Sequence, residues 1–262
     1  MLTRDDIYAN KIFLNAVLPL VKIIVESRKN LSNKFRGKNA IVGISAKDAD
    51  GKVGTHFIIE DGIFTVVKGT NDKCDVELEF KSIPDLNSFF AGKSKKLPKI
   101  KGWYHLSILI PTLSTLMYMA KLLSATEIPK NEDDQDLIVK LYFALLSTGI
   151  SQLNKAGHPI ISKWAMKSPD RVFSWKIADK PELSSYLRVK AGKSKAARGE
   201  YKRSKPFFTM LFDSTESALG ILLDIDDMIE STINKKIIME GAPEYGAQLG
   251  EYMLIVGSYA KG

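Results

Sequence analysis

Residues 74–80 read Cys74-Asp75-Val76-Glu77-Leu78-Glu79-Phe80, and the rest of the chain is read from this run. Val76, Leu78 and Phe80 alternate with Asp75, Glu77 and Glu79. Such a period of two belongs to a strand with one face on a core and the other in water. On that reading Glu77 and Glu79 share the wet face, and nothing there would raise their pKa values. Upstream, residues 40–45, 53–59 and 63–68 are three more β-rich runs, with turn residues at 48–51 and a hairpin signal at Glu60-Asp61-Gly62. The expectation is an antiparallel meander of four strands. Downstream, Ser82 is a helix N-cap with Asp85 three residues on, and Leu86, Phe89 and Phe90 follow at helical spacing as far as Gly92. A basic loop, 93–99, leads to Ile100-Lys101-Gly102 and then to an apolar helix over 106–123, bent at Pro111.

The same order recurs later in the chain. An offset of 132 places Val76, Leu78 and Phe80 on Phe208, Met210 and Phe212, Ser82 on Ser214, and Phe89-Phe90 on Ile221-Leu222. Seven residues are then added, after which Ile100-Lys101-Gly102 falls on Met239-Glu240-Gly241. Both copies run on into an apolar helix, the second over 245–259. Residues 172–177, 184–190 and 192–201 supply the earlier strands of the second copy. A recurrent order of this length is the mark of a duplicated unit. An acidic linker, 132–136, lies between the copies and precedes a buried helix over 137–153. The predicted architecture is α+β: a unit at 1–130 and a diverged unit at 131–262, each a mainly antiparallel five-stranded sheet covered by helices.

The chain has 262 residues, 45% hydrophobic and 26% charged, an ordinary globular balance able to bury a sizeable core. One cysteine, Cys74, cannot make an internal disulfide, which points to a cytoplasmic setting rather than a stapled secreted fold. At a strand start it reads as a small buried thiol. Residues 12–25 are apolar but broken by Asn15, Pro19 and Lys22, so an amphipathic helix kinked at Pro19 is expected there rather than a span or a signal peptide. No other stretch reads as long enough to span a membrane. Residues 1–130 carry 20 Lys and Arg against 13 Asp and Glu, a net of +7, while 131–262 carry 18 against 17, a net of +1. That asymmetry points to an anionic partner on the first half, or simply to solubility.

The ordered pattern of the first copy resembles the sterol carrier protein type 2 family of lipid-binding α+β domains. The likeness is carried by Asp61-Gly62, by residues 74–80, by 86–92, and by Leu97-Pro98-Lys99-Ile100-Lys101-Gly102; the second copy keeps Lys235-Lys236-Ile237-Ile238-Met239-Glu240-Gly241. The second copy departs from it where its hairpin is read as Ala178-Asp179-Lys180-Pro181, which suggests that it lost ligand binding. The resemblance implies an apolar tunnel between sheet and closing helix that takes sterols, fatty acids, fatty acyl-CoA or phospholipids without catalytic residues. The expected function is therefore non-enzymatic binding or transport of lipids, with an accessory subunit whose cavities are filled as the alternative.

The candidate ligand contacts are Trp103, Leu106, Leu109, Leu113, Met117, Phe80 and Phe89, with Lys95, Lys96 and Lys99 at the headgroup. The partners expected are a hydrophobic or lipid ligand and a transient anionic membrane surface. Residues 106–119 are apolar on more than one face, which a helix with a single buried side does not need. His56, His105 and His158 are about fifty residues apart and match no metal-ligand spacing. No phosphate loop or dinucleotide fingerprint is present, so no cofactor or metal is expected. A second basic cluster, from Arg188 to Lys205, lacks the aromatic interleaving of a single-strand binder, and no specific nucleic acid is expected.

Overall fold

The computed structural model describes residues 2–261. It is an α+β fold with two five-stranded sheets, and the chain divides into two compact units, Met1–Lys121 with Ser258–Gly262 and Leu122–Gly257.

In the first unit, β1 (Ala40–Asp48), β2 (Gly51–Glu60) and β3 (Ile63–Lys68) form the antiparallel meander that the turns predict. Asp61 and Gly62 both have positive φ, 48° and 79°, and Glu60 pairs with Ile63, so a two-residue turn joins β2 to β3. The fourth strand departs from the expectation. β4 (Val76–Phe80) crosses back to pair parallel with β1, and β5 (Lys99–Lys101) pairs antiparallel with β4, giving the order β3-β2-β1-β4-β5. The sheet is mixed, with β1 and β4 inside it. That position explains a second correction. Glu77 and Glu79 are buried, not wet, because a central strand has neighbours on both sides and the lysines flanking them close over the face.

The opposite, apolar face is covered by α1 (Arg4–Ile12), a π-helical turn (Phe13–Val17) and α4 (Ile83–Phe90). Thr3 and Asp6 form a capping box at the start of α1. Pro19 has no N–H to continue the ladder; Leu18 instead donates to the Phe13 carbonyl five residues back, and α2 (Leu20–Ser27) begins after the proline. The Thr55 hydroxyl donates to the Leu14 carbonyl at 2.6 Å, and Asn87 Nδ2 donates to the Asp6 carbonyl at 2.9 Å. The first bond pins the helical layer to the sheet, and the second ties α4 to α1 within that layer. Phe13, Phe80, Phe89 and Phe90 interlock there at centroid distances of 5.2–6.0 Å. A short α3 (Lys29–Ser32) follows α2, and α5 (Leu106–Leu123) matches the predicted apolar helix, with Pro111 inside it.

The second unit repeats the topology. β6 (Arg171–Ile177), β7 (Ser185–Lys190), β8 (Lys193–Arg198), β9 (Phe208–Phe212) and β10 (Ile237–Glu240) stand in the order β8-β7-β6-β9-β10, with β9 parallel to β6. Leu78 faces Ile100 in the first sheet and Met210 faces Met239 in the second, as the sequence offset requires. Ser82 and Ser214 cap α4 and α8 (Thr215–Leu222) in the same way.

The hairpin of the second copy does not lie at Ala178-Asp179-Lys180-Pro181, where the sequence predicts it. Residues 178–181 lie in the β6–β7 connection, whereas β7 and β8 are joined by Ala191-Gly192 with φ of 42° and 83°. The second copy keeps the two-residue turn, with Ala in the position that Asp61 takes in the first. The acidic linker is also corrected. Glu132, Asp133 and Asp134 form the first turn of α6 (Glu132–Lys155), capped by Asn131, where carboxylates meet the positive end of the helix dipole. α7 (Pro159–Lys167), α9 (Met228–Ile233) and α10 (Pro243–Lys261), the last as far as Gly257, complete the unit.

Three helical stretches, Arg4–Ser27, Leu106–Leu123 and Glu132–Lys155, are long and apolar enough to cross a membrane by length and composition, which corrects the reading that none besides the first approaches that length. The first and third bury most of their apolar length in the fold; Leu106–Leu123 buries less than half.

Candidate functional site

The candidate site is an open cleft of about 510 Å³ in the second unit. It is built from two helix faces and a strand start. Along α7, Ile160, Lys163, Trp164 and Lys167 follow the i, i+3, i+4, i+7 spacing of one face. Pro159 at the first turn fixes where that face begins. Along α10, Tyr245, Gln248 and Tyr252 recur at three and four residues and form the second wall. Arg171, the first residue of β6, lines the cleft together with Ser168.

The walls are aromatic. Trp164 packs on Tyr252 and Phe173 at 5.0 and 5.3 Å, and Phe207 meets Tyr245 at 4.8 Å. The Arg171 guanidinium lies 4.0 Å from the centroid of Phe207 and 5.0 Å from that of Tyr245. Cation–π contact with two rings set nearly at right angles holds the guanidinium in place, and among the described residues no hydrogen bond takes its N–H groups. Among the described residues no carboxylate lies within ion-pair distance of Arg171, Lys163 or Lys167. Burial, with a smaller push from Glu251, raises the Tyr252 phenol to about 12, so it stays neutral at physiological pH.

A second cleft of about 540 Å³ adjoins the first. Phe207 lines it and stacks on Arg171, so the Arg171–Phe207 pair is the partition between the two. Tyr201, Arg203, Ser204 and Lys205 line its far side. Arg188 is spent there: its guanidinium donates to both Asp170 oxygens at 2.7 and 2.5 Å, which holds that carboxyl at about 2.

The residues singled out by sequence lie elsewhere. Phe80, buried in the core of the first unit, meets the half-buried Phe89 at 5.2 Å. Leu109 is buried on α5, Leu113 is half-buried, and Trp103, Leu106 and Met117 are exposed. Lys95, Lys96 and Lys99 are exposed; Lys96 reaches Asp85 at 3.3 Å. Lys101, just beyond the basic loop, is committed to Glu79 and Glu77 at 2.6 and 2.9 Å. Sequence reasoning passed over Trp164, Arg171, Tyr245 and Tyr252. The helical spacing of Lys163, Trp164 and Lys167 was a visible signal; the convergence with Arg171 and α10 was not.

Cys74 and His56 are occupied in the fold. Burial, then the charges of Glu77 and Asp75, pushes the Cys74 thiol up to about 11, and its Sγ donates to the Asn71 carbonyl. His56 Nδ1 lies 2.9 Å from the Gly69 carbonyl. No cluster of three metal-ligating side chains occurs among the described residues.

No protein-family profile matches the chain, and no curated protein matches it by sequence. Among solved structures it is similar to the stereoselective inverting sec-alkylsulfatase Pisa1 from Pseudomonas sp., at 12% identity and a TM-score of 0.26 over 58% of this chain and 28% of that one. A double mutant of the same sec-alkyl sulfatase gives 14% identity and a TM-score of 0.27 over 54% of this chain and 26% of that one. The chain spans little more than a quarter of those enzymes, and superposition at this level bears on neither fold nor activity.

Proposed function

We propose that this protein is a non-enzymatic binder of amphipathic anions with an apolar tail, of which fatty acids and fatty acyl-CoA are the type, and that the cleft of the second unit is where they bind. The observation that carries the reading is Arg171, held over two aromatic rings and without an ion-pair partner among the described residues. A carboxylate takes two parallel N–H bonds from a guanidinium held in this way, and the tail lies along Trp164, Tyr245 and Tyr252. Lys163 and Lys167 add charge at the rim without directional demands. A tail of a dozen methylenes supplies about 10 kcal/mol gross at ~0.8 kcal/mol each, from which incomplete burial in an open cleft and ordering costs are subtracted.

Cys74 is held protonated and Glu77 and Glu79 are held ionised, so none of these three offers a thiolate or a carboxyl poised near neutral pH, which supports a binder. The first unit favours the alternative reading for itself. Its apolar sheet face is filled by Phe13, Phe80, Phe89 and Phe90, so it serves as a scaffold. Incubation with a total lipid extract followed by native mass spectrometry tests the proposal. Adducts of acyl anions are expected on the wild type and are lost in Arg171→Leu; recovery of empty protein across all lipid classes would sink it.

A further inference from the structure

Helix α5 carries apolar residues on two opposite faces, and only one of them is used. At 100° per residue, Leu106, Ile110, Leu113 and Met117 fall within a 60° band, while Ile108, Pro111, Thr112, Thr115, Met119 and Leu122 lie on the opposite side. The second set is buried. Of the first, Leu106, Ile110 and Met117 are 53%, 61% and 73% exposed, and Leu113 is half-buried. Trp103 and Tyr104, 66% and 68% exposed, extend the band at its N-terminal end, and Leu97 at 81% stands in the loop before them.

The stretch of chain that carries this band has charge of one sign. From Leu86 to Thr126 the chain holds six lysines and no Asp or Glu. Lys93, Lys95 and Lys99 are exposed and have no ion-pair partner among the described residues. Along one flank of the band, Lys34 Nζ donates to Ser114 Oγ at 3.2 Å and Lys38 Nζ donates to the Ser107 carbonyl at 2.5 Å. The band is thus an exposed apolar ridge edged by cations, with an indole and a phenol at one end.

We propose that this face of α5, with the lysine loop before it, docks the protein on an anionic lipid bilayer. A helix lying in the interface needs an apolar ridge that enters the acyl boundary and cations that meet the headgroups. Trp and Tyr favour the depth between the two. Compact lysine ammoniums suit diffuse headgroup charge, and a protein partner contributing carboxylates would be better met by arginine forks. The inference stands on the first unit alone and does not depend on the cleft.

Vesicle co-sedimentation of the full chain tests it, with phosphatidylcholine vesicles against phosphatidylcholine–phosphatidylserine vesicles. The wild type is expected to sediment with the anionic vesicles and to be released by salt. Ile110→Asp with Met117→Asp, and separately Lys95→Glu with Lys96→Glu, should each lower the partition coefficient by about tenfold or more. All four positions are exposed, and unchanged thermal unfolding of the variants excludes misfolding. Trp103 emission should shift to the blue on the vesicles, and Trp103→Phe should remove the shift. Equal binding to neutral vesicles, no binding, or a dimer in sedimentation velocity that Met117→Asp disperses would each overturn the proposal, the last in favour of a second copy.

Discussion

The guanidinium of Arg171 lies 4.0 Å from the ring centroid of Phe207, in the partition between two clefts. Contact with the Phe207 and Tyr245 rings holds the guanidinium in place, so Arg171→Lys, which keeps the charge and loses the fork, separates geometry from electrostatics. Dodecanoate affinity measured by titration calorimetry should fall about tenfold in Arg171→Lys, roughly 1.4 kcal/mol, and further in Arg171→Leu. Equal affinities for wild type and Arg171→Leu would remove Arg171 from the site.

The second cleft separates two ligands that share an acyl chain. Arg203 and Lys205 line it with Phe207, so under the proposal they would meet the phosphates that an acyl-CoA has and a fatty acid does not. Replacing both with Ala should weaken dodecanoyl-CoA severalfold or more while leaving dodecanoate unchanged. Parallel losses for both ligands would mean that the clefts act as one basin.

In the first sheet, Lys101 and Lys52 hold Glu79 and Glu77. Hydrogen bonds from Lys101 and then Lys52 bring the Glu79 carboxyl down to about 2. For Glu77, burial pushes upward, but bonds from Ser45, Lys101 and Lys52 outweigh it and the net shift is down. A depressed folded pKa contributes stability above the unfolded value of 4.5, lost as pH falls toward 2. Urea unfolding at pH 7 should show Glu79→Gln destabilised by about 1.5–3 kcal/mol, and the gap to wild type should close as pH falls through that window. A gap that persists at pH 2 would assign the loss to packing.

Gly102 ends β5 with φ of +68°, and a Cβ there would lie 1.7 Å from the Asp75 carbonyl oxygen. Gly37 has nearly the same φ, +70°, with nothing within 4 Å of its Cβ. Gly37→Ala should therefore cost only the left-handed strain, about 1–2 kcal/mol. Gly102→Ala must also move the chain before β4, so it should lose clearly more in the same denaturation assay. Equal losses would show that the β4 entrance yields freely.

Cys74 begins that same entrance, its Sγ bonded to the Asn71 carbonyl at 3.0 Å. With the thiol raised from 9.0 to about 11, its thiolate fraction near neutral pH is ~100-fold below that of an unperturbed cysteine. Iodoacetamide should alkylate it correspondingly slowly in native protein and at the ordinary rate in urea. Fast native alkylation would mean that the loop over it opens.

The sequence by itself determined the elements and their duplication. Alternation at 76–80, the caps at Ser82 and Ser214, the Asp61-Gly62 turn and the apolar run at 106–123 are local facts, because propensity, capping and turn geometry act within a few residues of one another. The offset between the copies carried through to the facing pairs Leu78–Ile100 and Met210–Met239. What only the tertiary structure decided was which strands became neighbours. The parallel return of β4 to β1 is a contact between residues 34 apart, Val42 and Val76, and alternation is the same for a strand at the edge or in the middle. From that one placement followed the burial of Glu77 and Glu79 and the capture of Lys101. The cleft is of the same kind: Trp164, Arg171 and Tyr245 come from three elements, and their meeting is set by packing, which spacing along the chain does not encode.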